Sequence, residues 1–331
     1  MTATTDDEFA LLAENAADAG LAWHGRPAVA RVDRRLDDGR VMSSILWGDD
    51  PELVFLHGGG QNAHTWDTVV LAMGRSALAV DLPGHGRSDR PPEPPNGTFD
   101  PAQLAADVVP VVRELAPRAR LVTGMSLGGL TAIVLASRTP ELVPRLAVVD
   151  VMPGVSLTKA STQAGRQDRG PAPESYASQE EMVAEVVAGD PDRSESSMRR
   201  GVHHNSCQLP NGRWVWRGDR HRRDDEGYAL AADGSRVVPG TPLEVPGTKE
   251  LDRDAPLYPE LWDDVSALTM PTLLVLGSRS GACDAQDCEE LLRRQPTARV
   301  VTVDGAGHRV QGDRPIELAA LLEELLTQTA G

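Results

Sequence analysis

The chain has 331 residues, long for one ordinary domain and ample for a buried core, so two domains or one domain with an insertion is expected. Hydrophobic residues at 40% and charged residues at 25% exclude a fibrous or wholly disordered chain. A count of 49 acidic against 33 basic residues gives a net charge of −16, which argues against nucleic acid or an anionic membrane as partner; the only lysines are Lys159 and Lys249, and the arginines are scattered among acids.

Residues 1–20 are acidic and lack both the charged start and the unbroken apolar run of a secretory signal, so they read as a polar extension with helical character. Two antiparallel strands follow at 28–34 and 41–46, joined by the Asp38-Gly39 turn. Short apolar runs at 53–56, 77–80, 121–123, 146–149, 272–276 and 300–303 alternate with helix-like segments, the rhythm of a mostly parallel sheet covered by helices. Asp100 and Pro101 supply the N-cap and first-turn proline of a helix carrying Leu104, Val108, Val111, Val112 and Leu115, with a kink expected at Pro110. Residues 155–267 break the rhythm with polar clusters rich in Gly and Pro and read as an insertion into a core of 21–154 and 268–331. Its one clear helix lies near 179–188, and a hairpin turns at Asn211-Gly212 between Leu209 and Trp214 to Trp216. No window approaches the roughly 18 apolar residues needed to cross a bilayer. Cys207, Cys283 and Cys288 are odd in number and lack a C-x-x-C pair, which fits free thiols in a reducing compartment, so a cytoplasmic location is expected.

Three short stretches carry chemistry. Gly124-Met125-Ser126-Leu127-Gly128 sets a serine between an apolar strand and the helix-like run TAIVLASR, the strand-turn-helix context that lifts a nucleophile above a sheet. The N–H of Leu127 then lies at a helix N-terminus, where an oxyanion is stabilised. His57-Gly58-Gly59-Gly60 follows the strand LVFL, and N–H groups of Gly59 and Gly60 are the second candidate oxyanion donors; the loop lacks the G-x-G-x-x-G of a dinucleotide site. His308, in Asp304-Gly305-Ala306-Gly307-His308, follows the last apolar run, so the chain order serine, acid, histidine is available.

The stretches LHGGGQNAHTW, VDLPGHGRSD, GMSLGG and DGAGH, in this order and spacing, resemble the α/β-hydrolase superfamily, in particular its lactonase, esterase and carbon–carbon bond hydrolase members. The resemblance covers residues 45–153 and 270–331. It implies an α/β-hydrolase fold, an eight-stranded mostly parallel sheet with helices on both faces, with 155–267 as an inserted cap domain after the sixth strand. It also implies a Ser-His-Asp triad, an acyl-enzyme, no cofactor, and a small-molecule substrate held between core and cap. Asp81 and His85 resemble family positions that brace the fold.

The family usually supplies its acid just after the seventh strand, and here that place reads Gly277-Ser278-Arg279-Ser280, with Ser280 at the carboxylate position. Some members take the acid from the end of the sixth strand instead, where this chain has Asp150. The assignment is therefore Ser126 as nucleophile, His308 as base and Asp150 as the acid that orients it, with Asp284 as the rival acid or else a helix N-cap. His57, Met125, His204, Trp214 and Trp216 are the candidate pocket residues. His203, His204 and His221 could bind a metal, but their spacing matches no ligand motif and adjacent histidines point apart in a strand, so no metal is expected. The activity expected is cleavage of a carboxylic ester or lactone. Carbon–carbon bond cleavage, a biosynthetic lyase or cyclase, and a non-catalytic binding protein on the same fold are the alternatives. The sequence carries no sign of oligomeric state.

Overall fold

The structure is a computed structural model that describes residues 7–90, 99–163, 173, 175–189, 193–217, 229–230, 236–237 and 252–328, of which 161–163, 229–230 and 236–237 are described in backbone alone. His221, Lys249 and most of the Gly- and Pro-rich clusters of the insertion lie outside the described residues.

Eight strands form one sheet. They are β1 (Val29–Arg35), β2 (Val41–Trp47), β3 (Leu53–Leu56), β4 (Ala77–Val80), β5 (Leu121–Met125) and β6 (Leu146–Val149), then, beyond the inserted segment, β11 (Thr272–Gly277) and β12 (Arg299–Val303). Their order is β1-β2-β4-β3-β5-β6-β11-β12; β2 is antiparallel to both neighbours and every other pairing is parallel. Each strand expected from an apolar run is present, within one or two residues at its ends. The central strands are buried along their whole length, because successive side chains enter two different cores. Leu53 and Phe55 join one cluster while Val54 and Leu56 join the other, and Ala77 and Ala79 part from Leu78 and Val80 in the same way.

One face is covered by α3 (Pro101–Leu115), α4 (Leu127–Arg138), α8 (Leu261–Ser266) and α9 (Ala285–Arg294). The other carries α1 (Leu12–Asp18), α2 (Asp67–Met73), α10 (Val310–Asp313) and α11 (Pro315–Thr327). α3 begins as its sequence dictates: the Asp100 side chain accepts from the N–H of Ala102, Pro101 sits in the first turn, and the helix runs on through Pro110. The reading of residues 1–20 as a polar extension misses an apolar stripe. Phe9, in the turn before α1, and Leu12, at its start, are buried against the core that holds Trp66 and Val70, and α1 runs for less than two turns, too short for a periodicity to stand out in the sequence.

The segment between β6 and β11 is richer in helix than its composition suggests. It holds α5 (Leu157–Gln163), α6 (Gln179–Gly189), α7 (Glu195–Asn205) and α8, of which the sequence announces only α6. α7 was hidden by its polar face, but it buries Met198 and Val202 and is capped by Ser194. The expected hairpin is present as β7 (Ser206–Gln208) and β8 (Trp214–Trp216), and a second short pair, β9 (Ala229–Leu230) with β10 (Arg236–Val237), follows.

Candidate active site

Open parallel sheets gather ligands at the carboxyl ends of their strands, and five strands here deliver the expected residues to that edge. β3 runs into His57 to Gly60, β5 into Ser126, β6 into Asp150, β11 into Ser280 and β12 into His308. Ser126 has φ +52° and ψ −121°, and Leu127 opens α4 immediately after it. The first N–H groups of a helix have no partner within it, and the N–H of Leu127 is the first of them.

Close approach requires the glycines of this turn. A Cβ at Gly124 would lie 2.1 Å from the Gly128 carbonyl oxygen, and one at Gly128 would lie 2.3 Å from the Leu56 carbonyl oxygen. Strand, turn and helix therefore touch through backbone. The Gly58 to Gly60 loop lies against the same turn: a Cβ at Gly58 would meet Ser126 Cβ at 3.2 Å, and one at Gly59 would meet the Leu127 side chain at 4.0 Å.

Asp150 is 1% exposed and, like Ser126, has a positive φ, +56°. Its Oδ2 lies 2.7 Å from His308 Nδ1 and also accepts from the Ser280 hydroxyl, while Oδ1 accepts from the Gly277 N–H at 3.0 Å. With a carboxylate on Nδ1, that nitrogen carries the proton and Nε2 is left as the basic one. The rival acid has a different task. Asp284 caps α9, accepting from the Asp287 N–H at 3.0 Å and completing a reciprocal box with the Asp287 side chain, and it pairs with Lys159 at 2.9 Å.

The five candidate pocket residues separate. His57 is fully buried; its Nε2 accepts from the Leu82 N–H at 2.9 Å and its Nδ1 lies 2.8 Å from the Gly58 carbonyl, so the ring braces the loop rather than facing a substrate. Burial pushes its pKa down, which keeps it neutral. Met125 is 1% exposed and belongs to the core cluster of Phe55 and Trp66, its sulfur lying against Gly58, where an added Cβ would meet it at 2.5 Å. Trp214 and Trp216 pack with Tyr176, Met182, Val183 and Val202 in a small core of the inserted segment's own, and the Trp216 indole N–H donates to the Tyr176 hydroxyl at 3.3 Å.

His204 lies in the last turn of α7, not in a strand, and reaches the core. Its ring stacks on that of His64 with centroids 3.7 Å apart and planes at 12°. Asn62, just past the glycine loop, donates to the His204 carbonyl and to Asn205 Oδ1, both at 2.9 Å, fastening α7 to that loop. His64 itself is held between Asp67 at 2.8 Å and Glu8 at 3.1 Å. Burial opposes its charge, but the two carboxylates outweigh this and hold its pKa at about 9. The stacked His204, buried and facing that cation, is pushed well below its ordinary value. Glu8 also receives Arg31, whose other nitrogen reaches Asp81 at 2.6 Å. Asp81 in turn accepts from the Ala63 and Arg87 N–H groups, which is the bracing role its motif implies.

His64, Asp67 and His204 are the one group of ligand-type side chains gathered closely enough for a metal among the described residues, their candidate atoms lying within 4.8 Å of one another. Nearly parallel rings direct their lone pairs into separate planes, and both His64 nitrogens face carboxylates, so the arrangement is that of a stacked imidazolium–imidazole pair. Three contributors were not visible in the sequence. Glu8, Asn62 and the Ser280 hydroxyl act on residues far along the chain, and no local pattern marks them.

A family model described as the alpha/beta hydrolase family matches residues 53–321, and the chain belongs to that family as a hydrolase. Among its relatives is the esterase Rv0045c of Mycobacterium tuberculosis, 41% identical over 327 residues that cover 97% of this chain and 96% of the relative. A solved structure of that esterase, described in a study of its transition metal inhibition, superposes with a TM-score of 0.77 at 40% identity, covering 98% of this chain and all of the other. The sn-1-specific diacylglycerol lipase ABHD11 of Danio rerio is 28% identical over 312 residues, 87% of this chain and 85% of the relative.

Proposed function

We propose that the protein is a carboxylic-ester hydrolase in which Ser126 attacks the carbonyl carbon. His308 Nε2 takes the serine proton, Asp150 fixes the imidazole tautomer and stabilises the imidazolium, and the oxyanion is received by N–H groups of Leu127 and of the Gly59 and Gly60 loop. The proton passes from His308 to the leaving alkoxide. Water, deprotonated by the same histidine, then releases the acid from the acyl-enzyme. The observation that carries this reading is the 2.7 Å contact between Asp150 and His308 on the sheet edge where Ser126 emerges. The name of the 41% identical relative supports the ester as substrate class. A lactone is an internal ester and passes through the same steps.

Residues 155–267 serve in this reading as a cap. Asn62 with α7, and Lys159 with Asp284 and Asp287, tie the inserted segment to core loops at the strand ends, where it can limit access of water to the acyl-enzyme. The test is labelling by a fluorophosphonate probe followed by turnover of a panel of p-nitrophenyl esters and lactones. Labelling of the Ser126 peptide and ester turnover abolished by Ser126→Ala are expected. Labelling without any turnover would point instead to a binding protein on this fold.

A further inference from the structure

Ser280 occupies the position where the family pattern places its acid, yet the side chain there is a hydroxyl that donates to the carboxylate which replaced it. The direction of this bond is fixed. A carboxylate only accepts, so the Ser280 hydroxyl gives its proton to Asp150 Oδ2, while its oxygen accepts from the Ala282 N–H at 3.2 Å. The serine backbone is anchored as well, its N–H donating to the Gly277 carbonyl at 3.0 Å. Asp150 thus receives three donors from three directions: the Gly277 N–H on Oδ1, and Ser280 and His308 on Oδ2. Two of these come from the end of β11 and the loop after it, and only the third is the histidine that the carboxylate must aim. The Gly277 N–H holds one oxygen, and the hydroxyl adds a second donor to Oδ2, the oxygen that His308 uses, so that oxygen stays in place even when the histidine bond lengthens.

We propose that Ser280 is a positioning residue, which locks the Asp150 carboxylate and through it the His308 imidazole in line with Ser126. The task that the family pattern gives to one acid after the seventh strand of the sheet is here divided between two strand ends. The carboxylate comes from β6, and β11 contributes the donor that steadies it. This inference rests on the triad assignment above. Ser280 touches no substrate; it acts on the fraction of molecules whose imidazole is correctly aimed, and therefore on kcat rather than on KM.

The experiment compares the full-length parent with Ser280→Ala, Ser280→Thr and Asp150→Asn, using a p-nitrophenyl ester turned over by the parent and proton NMR of the His308 Nδ1–H. A hydrogen bond to a charged group is worth enough to predict a fall in kcat of about 10- to 100-fold for Ser280→Ala, with KM changed by less than about threefold. Its low-field imidazole resonance should broaden or move, and Ser280→Thr, which retains the hydroxyl, should keep most of the activity and the parent resonance. Parent-like kcat and resonance in Ser280→Ala overturn the proposal, as does an equal loss in the alanine and threonine variants, which would indicate a purely steric role. Asp150→Asn separates the two readings. If it is inactive while Ser280→Ala is silent, the positioning role fails and the triad stands; if it turns over normally, the triad assignment itself fails.

Discussion

Ser126 and Asp150 share one backbone anomaly: among the described residues they are the two non-glycine residues with positive φ, and the Ser126 N–H donates to the carbonyl of Val149, the residue before Asp150, at 3.0 Å. Such conformations cost roughly 1–3 kcal/mol each and persist only where surrounding structure fixes them. Here the parallel β5 and β6 ladder does so, with Met125 opposite Val149. Both strained residues stand at strand ends, and both turn a polar side chain to the same edge.

Ser126 is expected to be the residue modified by a fluorophosphonate, with the adduct mapped by mass spectrometry to its peptide. Ser126→Ala should abolish both labelling and ester turnover while leaving the fold intact, as measured by thermal unfolding. An adduct on another serine would sink the assignment.

The two acids should separate cleanly. Asp150→Asn is expected to fold and to lose up to roughly 10⁴-fold in kcat, because the amide can hold the wrong tautomer of His308. Asp284→Asn should keep near-parent kcat and lose at most about 1 kcal/mol of stability through its helix cap. Steady-state kinetics with denaturant titration of both variants decides the matter, and the opposite pattern would move the acid to the helix terminus.

Gly124→Ala places a methyl group where the Gly128 carbonyl oxygen stands, 2.1 Å away, and the obstacle is backbone that cannot rotate aside. A loss of roughly 1–3 kcal/mol in urea unfolding is expected, together with weaker probe labelling as the serine turn is displaced. Gly201→Ala, in α7 with open space around the same position, serves as control and should leave labelling unchanged while raising stability by roughly 0.5–1 kcal/mol.

Stability should depend on pH through His64. Its pKa of about 9 in the folded chain lies above the ordinary value near 6.5, so its contribution is complete below about pH 6.5 and is lost as pH rises through 9. The magnitude is on the order of 3 kcal/mol. The groups that set it are Asp67 and Glu8, opposed by Arg31. Denaturant unfolding at pH 6.5, 8 and 9.5 should show the decline, and His64→Gln should flatten it over that interval. An equal decline in His64→Gln would place the titrating group elsewhere.

The sequence by itself determined the sheet and the sharp turn that carries Ser126, because those signals are local. A four-residue apolar run such as Leu53–Leu56, bounded by turns, is too short for a helix and long enough for a buried strand, and glycines two residues either side of Ser126 mark a tight turn. His308 was legible for the same reason, as a histidine on a glycine-flanked loop after the last strand. The tertiary structure alone decided what each distant partner does. Ser280 reads as a missing acid and is a donor to Asp150, 130 residues earlier; His204 reads as a pocket residue and is a ring stacked on His64, 140 residues away. Trp214 and Trp216 read as pocket walls and pack on Tyr176 and Val202 within their own segment. Strand periodicity gives the face on which a side chain lies, whereas hydrogen bonds and ring contacts between elements depend on which loops the sheet order brings to one edge, and that order is set by the packing of the whole chain.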